Sequence, residues 1–101
     1  YKTYMSGKWH LGHAKKEFWP NHRGFDSFYG ATVGEIDHFK HSSHGVDDWY
    51  RNDTAIKEVG FDNTLFGAEA VRLVNAHDGK DPFFLYLAFT APHTPFQAPQ
   101  D

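Results

Sequence analysis

Three residues have the types and spacing that chemistry needs. Lys8 and His10 share a tight stretch bounded by Gly7 and Gly12, and His93 lies between Pro92 and Pro95. Lysine carries a charge that persists at neutral pH, and histidine holds a proton that it can give away there. Glycine lets the backbone turn sharply and approach a ligand closely, and α/β proteins place their sites at strand C-termini. These side chains suit an oxyanion such as sulfate or phosphate. Cleaving an ester of such an acid builds charge on the leaving oxygen and on the equatorial oxygens. Fixed cations and a proton donor meet that demand. Plainer readings stand beside this one: Lys8 as a surface lysine, His10 as a brace for its turn, His93 as an exposed turn residue. Trp9 reads as packing, and His13 as solvated.

Elements must bring these residues together. Tyr1–Met5 alternates large side chains and is rich in β-formers, which predicts a strand. Residues 14–62 then read as a long irregular excursion punctuated by Pro20, Gly24, Gly30, Gly34, Gly45 and Gly60, with short β-runs at Phe28–Tyr29 and near Trp49–Tyr50. Excursions of that length are usually functional, and this one is expected to form a substrate-facing wall. Asp62-Asn63-Thr64 offers N-cap chemistry for a helix over 64–77, with Phe66, Ala70, Leu73, Val74 and His77 on one stripe. Gly67 weakens it, and Asp78-Gly79 and Pro82 stop it. Phe83–Phe89 is apolar throughout, too short for a membrane span, and fits a strand covered on both faces of a parallel sheet. Strand, long connection with helix, then buried strand is an α/β crossover. Parallel pairing would put Lys8-Trp9-His10 and Pro92-His93 on one rim.

Four stretches carry a resemblance. Gly7-Lys8-Trp9-His10-Leu11-Gly12, Arg23-Gly24-Phe25-Asp26, Asp48-Trp49-Tyr50-Arg51-Asn52 and Phe83-Phe84-Leu85-Tyr86-Leu87-Ala88 running into Ala91-Pro92-His93-Thr94-Pro95 resemble, in order, the type I sulfatases of the alkaline phosphatase superfamily. The arylsulfatase B-like branch is the most similar. The resemblance implies an α/β fold, part of an alkaline-phosphatase-like sandwich with a mostly parallel central sheet. It implies hydrolysis of sulfate monoesters of aryl or sugar alcohols, with N-acetylgalactosamine 4-sulfate units of glycosaminoglycans among the candidates. It further implies a formylglycine nucleophile, made from a C/S-x-P-x-R signature upstream of Tyr1, and a calcium ion held by residues outside this chain. Lys8 would bridge sulfate and formylglycine, His10 would bond the formylglycine hydroxyl, and His93 would contact sulfate and protonate the departing alcohol. Lys8 and His93 are thus also the substrate-binding residues, and no metal ligand falls in the chain. A lysosomal, secreted or periplasmic setting follows from the same resemblance.

Composition bounds the rest. The formal net charge of −3 gives no global basic field for nucleic acid. Residues 1–23 nevertheless hold five bases against one acid, which favours an anionic ligand at that end. Cysteine is absent, so no disulfide or thiolate metal site forms here. The chain lacks an initiator methionine, opens inside a strand and stops after a Pro-rich turn. It therefore reads as an internal fragment of an N-terminal catalytic domain, inactive by itself, with oligomeric state unreadable. His38, His41 and His44 recur at a spacing that invites zinc, but solvated loop histidines are the favoured reading. Arg23 and Asp26 are placed to pair across their loop. Asp48-Trp49-Tyr50-Arg51 is read as packing, with a sugar platform as the rival. A phosphate ester hydrolase of the same superfamily, a sulfatase-like protein without its nucleophile, and a His-rich metal- or carbohydrate-binding module remain open.

Overall fold

A computed structural model describes residues 1–100. The elements in chain order are β1 (Lys2–Lys8), two short 3₁₀ turns, β2 (Ser27–Ala31), β3 (Ser42–Ser43), β4 (Val46–Asp47), β5 (Tyr50–Arg51), β6 (Thr54–Ala55), α1 (Asp62–Ala76) and β7 (Phe83–Ala88). One five-stranded sheet has the order β6-β5-β2-β1-β7, and β3 with β4 forms a separate hairpin. The two pairings of β1, with β2 and with β7, are parallel, whereas β5 and β6 add on antiparallel. This is the α/β class with a mostly parallel sheet. The crossover from β1 to β7 leaves the two as direct neighbours, so their C-terminal ends lie on one edge.

Close approach of backbones at that edge depends on small residues. Gly7 pairs with Gly30 on one side and Ala88 on the other. A Cβ on Gly7 would meet the Ala88 carbonyl oxygen at 2.0 Å, and one on Gly30 would meet the Gly7 carbonyl oxygen at 2.1 Å. Both residues also hold positive φ, 131° and 142°, where side chains other than hydrogen are strained. Gly7 is thus a strand residue within β1 rather than the start of a turn, and β1 runs three residues beyond the expected Met5.

Helix α1 lies over the sheet. Phe66, Ala70 and Leu73 are buried, and Phe66 joins Tyr29, Ala31, Ile36 and Trp49 in the core. The Ser6 hydroxyl donates to the Phe66 carbonyl at 2.9 Å and ties helix to β1. Several expectations are corrected here. The helix begins at Asp62, with Phe61 at the N-cap position, and Asp62 is buried with work of its own, described below. Val74, assigned to the apolar stripe, is 46% exposed, while Glu69 is buried between Arg51 and Arg72. Burial pushes the Glu69 carboxyl up, but bonds from Arg72 and Arg51 outweigh it and hold the group below its ordinary range. Strand β7 is not covered on both faces: it is the edge strand, and Phe84 and Tyr86 are exposed beside Phe25. Arg23 and Asp26 do not pair with each other. Asp26 accepts from the Thr3 amide at 2.9 Å, and Arg23 donates to the Glu17 carbonyl and lies over Phe18.

Candidate active site

Past the end of β1, the chain continues alongside the residues that follow β2. The Trp9 amide donates to the Ala31 carbonyl at 2.9 Å and the His10 amide to the Thr32 carbonyl at 3.0 Å. His10 then takes a left-handed φ of 55°. Its imidazole lies against Gly34, where a Cβ would be 2.3 Å from Nδ1. After β7, Thr90 starts a turn whose carbonyl accepts from the His93 amide at 3.0 Å. The two tips meet in a cavity of about 530 Å³ lined by His10 and His93, with His13, Glu35, Asp48 and Tyr50 among the other walls. Lys8 closes β1, half-buried and opposite Ala31, but is not part of that lining. Among the described residues it forms no ion pair.

His93 is held from two sides. Its Nδ1 faces the Thr94 carbonyl at 2.9 Å and the Glu35 carboxylate at 3.2 Å. Its own carbonyl lies 3.1 Å from Nε2 of His38. His38 is buried, and its Nδ1 lies 2.9 Å from Asp62. Asp62 also accepts from the Thr90 hydroxyl at 2.5 Å and from the Asn63 side chain at 2.8 Å. The start of α1, the loop after β2 and the turn bearing His93 are thereby clasped at one buried carboxylate. Both nitrogens of His38 face acceptors, which the imidazolium alone satisfies fully. Burial pushes the His38 ring down, but the His93 carbonyl and Asp62 outweigh it and hold its pKa above the ordinary 6.5.

This clasp corrects the solvated reading of the histidine series. His41 is also buried, stacked on Trp49 at 4.0 Å with Nε2 at 2.8 Å from the Gly60 carbonyl. His44 alone is exposed, and it lines the cavity. His13, read as solvated, is exposed but belongs to the cavity wall as well. Trp49 is core, and its indole donates to Glu58 at 2.8 Å. Asp48 is buried and accepts from the Thr32 amide, the Thr32 hydroxyl and the Val33 amide, so it braces the wall instead of meeting a ligand. Tyr50 does reach the cavity, 4.5 Å from Trp19 ring to ring. Burial, with Asp48 and Asp47 nearby, pushes its phenol up, which leaves a hydroxyl donor in the wall.

The long excursion does form a wall, through residues 32–35 and 43–50. Its carboxylates do not make a calcium shell. Asp48 is occupied by amide and hydroxyl donors, Glu35 engages Thr94 and His93 through one carboxylate oxygen, and no three His, Cys, Asp or Glu among the described residues group to hold a metal. Neither cysteine nor a Ser-x-Pro-x-Arg sequence occurs in the chain.

A mostly parallel α/β sheet with Lys8 and His10 at the tip of one strand and His93 just past the next is an arrangement suited to an anion. The Sulfatase family model matches residues 1–101, and the chain belongs to that family. It is 40% identical to arylsulfatase J of Mus musculus over 98% of its own length and 18% of that protein's. It is 32% identical to N-acetylgalactosamine-6-sulfatase of Mus musculus, over 97% of this chain and 21% of that one. The solved structure of Ps i-CgsB in complex with k-i-k-neocarrahexaose superposes with a TM-score of 0.82 at 34% identity, over 98% of this chain and 25% of that chain. The chain thus spans about a fifth of the length of the curated relatives it matches. Among the described residues, no helix is long and apolar enough to cross a membrane.

Proposed function

We propose that the chain is part of the catalytic domain of a sulfuric ester hydrolase and supplies the anion-binding, proton-donating rim of its active site. The observation that carries this reading is the shared cavity of His10 and His93, each delivered by the tip of one of two adjacent parallel strands. Lys8 sets a fixed positive charge beside the sulfate. His10 bonds the hydroxyl of the nucleophile. His93 contacts the sulfate and gives its proton to the departing alcohol oxygen as the S–O bond breaks. The nucleophile, a formylglycine by family resemblance, and the calcium ion come from residues outside this chain, and a lysosomal, secreted or periplasmic setting goes with them.

Sulfated sugars are the proposed substrates. The name of N-acetylgalactosamine-6-sulfatase supports a sulfated sugar, and that of the neocarrahexaose complex a saccharide, for the relatives, and the cavity is large enough for one sugar ring. The full-length protein should release sulfate from 4-nitrophenyl sulfate much faster than phosphate from 4-nitrophenyl phosphate. A preference for the phosphate ester would overturn the reading in favour of a phosphatase, and release of neither would leave a binding module.

Gly34 offers a second check. A methyl group there would strike the His10 ring at Nδ1, and an imidazole on an exposed turn swings away at little structural cost. Gly34→Ala is therefore expected to lower kcat for 4-nitrophenyl sulfate by about 10²-fold, the penalty of a misplaced group, with the melting temperature nearly unchanged. Equal loss of activity and stability would contradict it.

A further inference from the structure

A carboxylate in an anion site repels the ligand, so its presence needs a cause. Asp48 has one, being occupied by backbone amides. Glu35 does not: it lies in the cavity wall, is 42% exposed along its side chain, and comes from the loop after β2, remote in sequence from His93. Its Oε2 accepts from the Thr94 hydroxyl and lies 3.2 Å from His93 Nδ1. The Thr94 carbonyl, 2.9 Å from the same nitrogen, can only accept, so Nδ1 carries hydrogen. The other ring nitrogen, Nε2, has no protein partner among the described residues.

We propose that Glu35 is the positioning residue for His93: it fixes the imidazole with Nδ1–H turned to the wall and Nε2 turned to the leaving oxygen. The inference rests on His93 being the proton donor. Thr94 alone cannot set the ring, because it neighbours His93 and moves with the same turn. Glu35 anchors the ring to a separate segment of chain. In the reaction, the Nε2–H bond of the imidazolium breaks as the proton passes to the alcohol oxygen, whose bond to sulfur breaks while the sulfuryl group passes to the nucleophile supplied from outside this chain. The neutral imidazole left behind keeps Nδ1–H. Glu35 keeps its own protonation state throughout. A fixed carboxylate behind an imidazole is a general way to set tautomer and direction together.

Leaving groups separate this role from a structural one. A nitrophenolate departs without much help, whereas a sugar alkoxide needs a proton. In the full-length enzyme, Glu35→Ala should lower kcat for a galactose sulfate by about 10²-fold and for 4-nitrophenyl sulfate only slightly, with KM nearly unchanged. Glu35→Gln keeps an oxygen acceptor for Nδ1–H and should recover most of the loss. Adding Glu35→Ala to His93→Ala should cost nothing further. Equal losses on both substrates, no rescue by glutamine, or an additive double variant would overturn the role of Glu35 while His93→Ala still discriminates between leaving groups. If His93→Ala itself shows no such discrimination, the donor assignment has failed and takes this inference with it.

Discussion

Alanine at Lys8 or His10 in the full-length protein is expected to reduce kcat for 4-nitrophenyl sulfate, and alanine at His93 to reduce kcat for a galactose sulfate, by about 10²–10³-fold, the range seen when one donor to a developing oxyanion is removed. KM should move much less. Charge gathers on the sulfuryl and leaving oxygens as the bond lengthens, so a fixed cation is worth more in the transition state than in the bound ester. The three losses should also differ in kind. His93→Ala should fall hardest on poor leaving groups, whereas Lys8→Ala should not distinguish them. Lys8 is the sharpest test, because it closes β1 without lining the cavity shared by the two histidines. Near-native turnover in any two of the three variants would end the assignment.

Removing the carboxylate that clasps the loops should unfold the protein most readily. Asp62 and His38 are 0% and 2% exposed along their side chains, and deleting one member of a buried pair costs about 3–5 kcal/mol because the other is left unmatched. Asp62→Ala strands more than one group: the His38 ring, the Thr90 hydroxyl and the Asn63 amide all lose an acceptor. Thermal unfolding of Asp62→Ala, His38→Ala and the double variant should show strongly non-additive losses. The same pair sets a pH dependence. A histidine held above its ordinary 6.5 stabilises the fold fully below that value, and the contribution fades as pH rises through the folded-state value. The melting temperature of the native protein should therefore fall more between pH 6 and 8 than that of His38→Gln. Equal slopes would show that the imidazolium contributes nothing.

Features written in consecutive residues were readable from the sequence. The alternating Tyr1–Met5 run, the apolar Phe83–Phe89 run and the capped stripe between them led to two parallel strand tips on one rim, and β1 and β7 do pair in that way. Features that join distant segments were not. Asp62 looked like an N-cap because Asp before a helix usually is one, yet its carboxylate is committed to His38 and Thr90, 24 and 28 residues away. Asp26 likewise looked like a partner for nearby Arg23 until Thr3 claimed it across the sheet. Glu35 escaped notice for the same reason, since nothing local marks it as facing His93. β2 was visible only as Phe28–Tyr29, because Gly30, needed for close backbone contact, and Ala31 beside it weaken the β-former signal.

One wall of the cavity comes from the hairpin of β3 and β4, where His44, Val46 and Asp47 are all exposed and each strand is two residues long. Residues there carry little of the core, while the strand tips opposite carry the proposed chemistry. On the proposed function, the choice of saccharide and the cutting of its ester would therefore lie in separable parts of the molecule. Exchanging the hairpin should retune preference among sulfated sugars at almost no cost to folding, so diversification of such enzymes has a cheap direction in which to move.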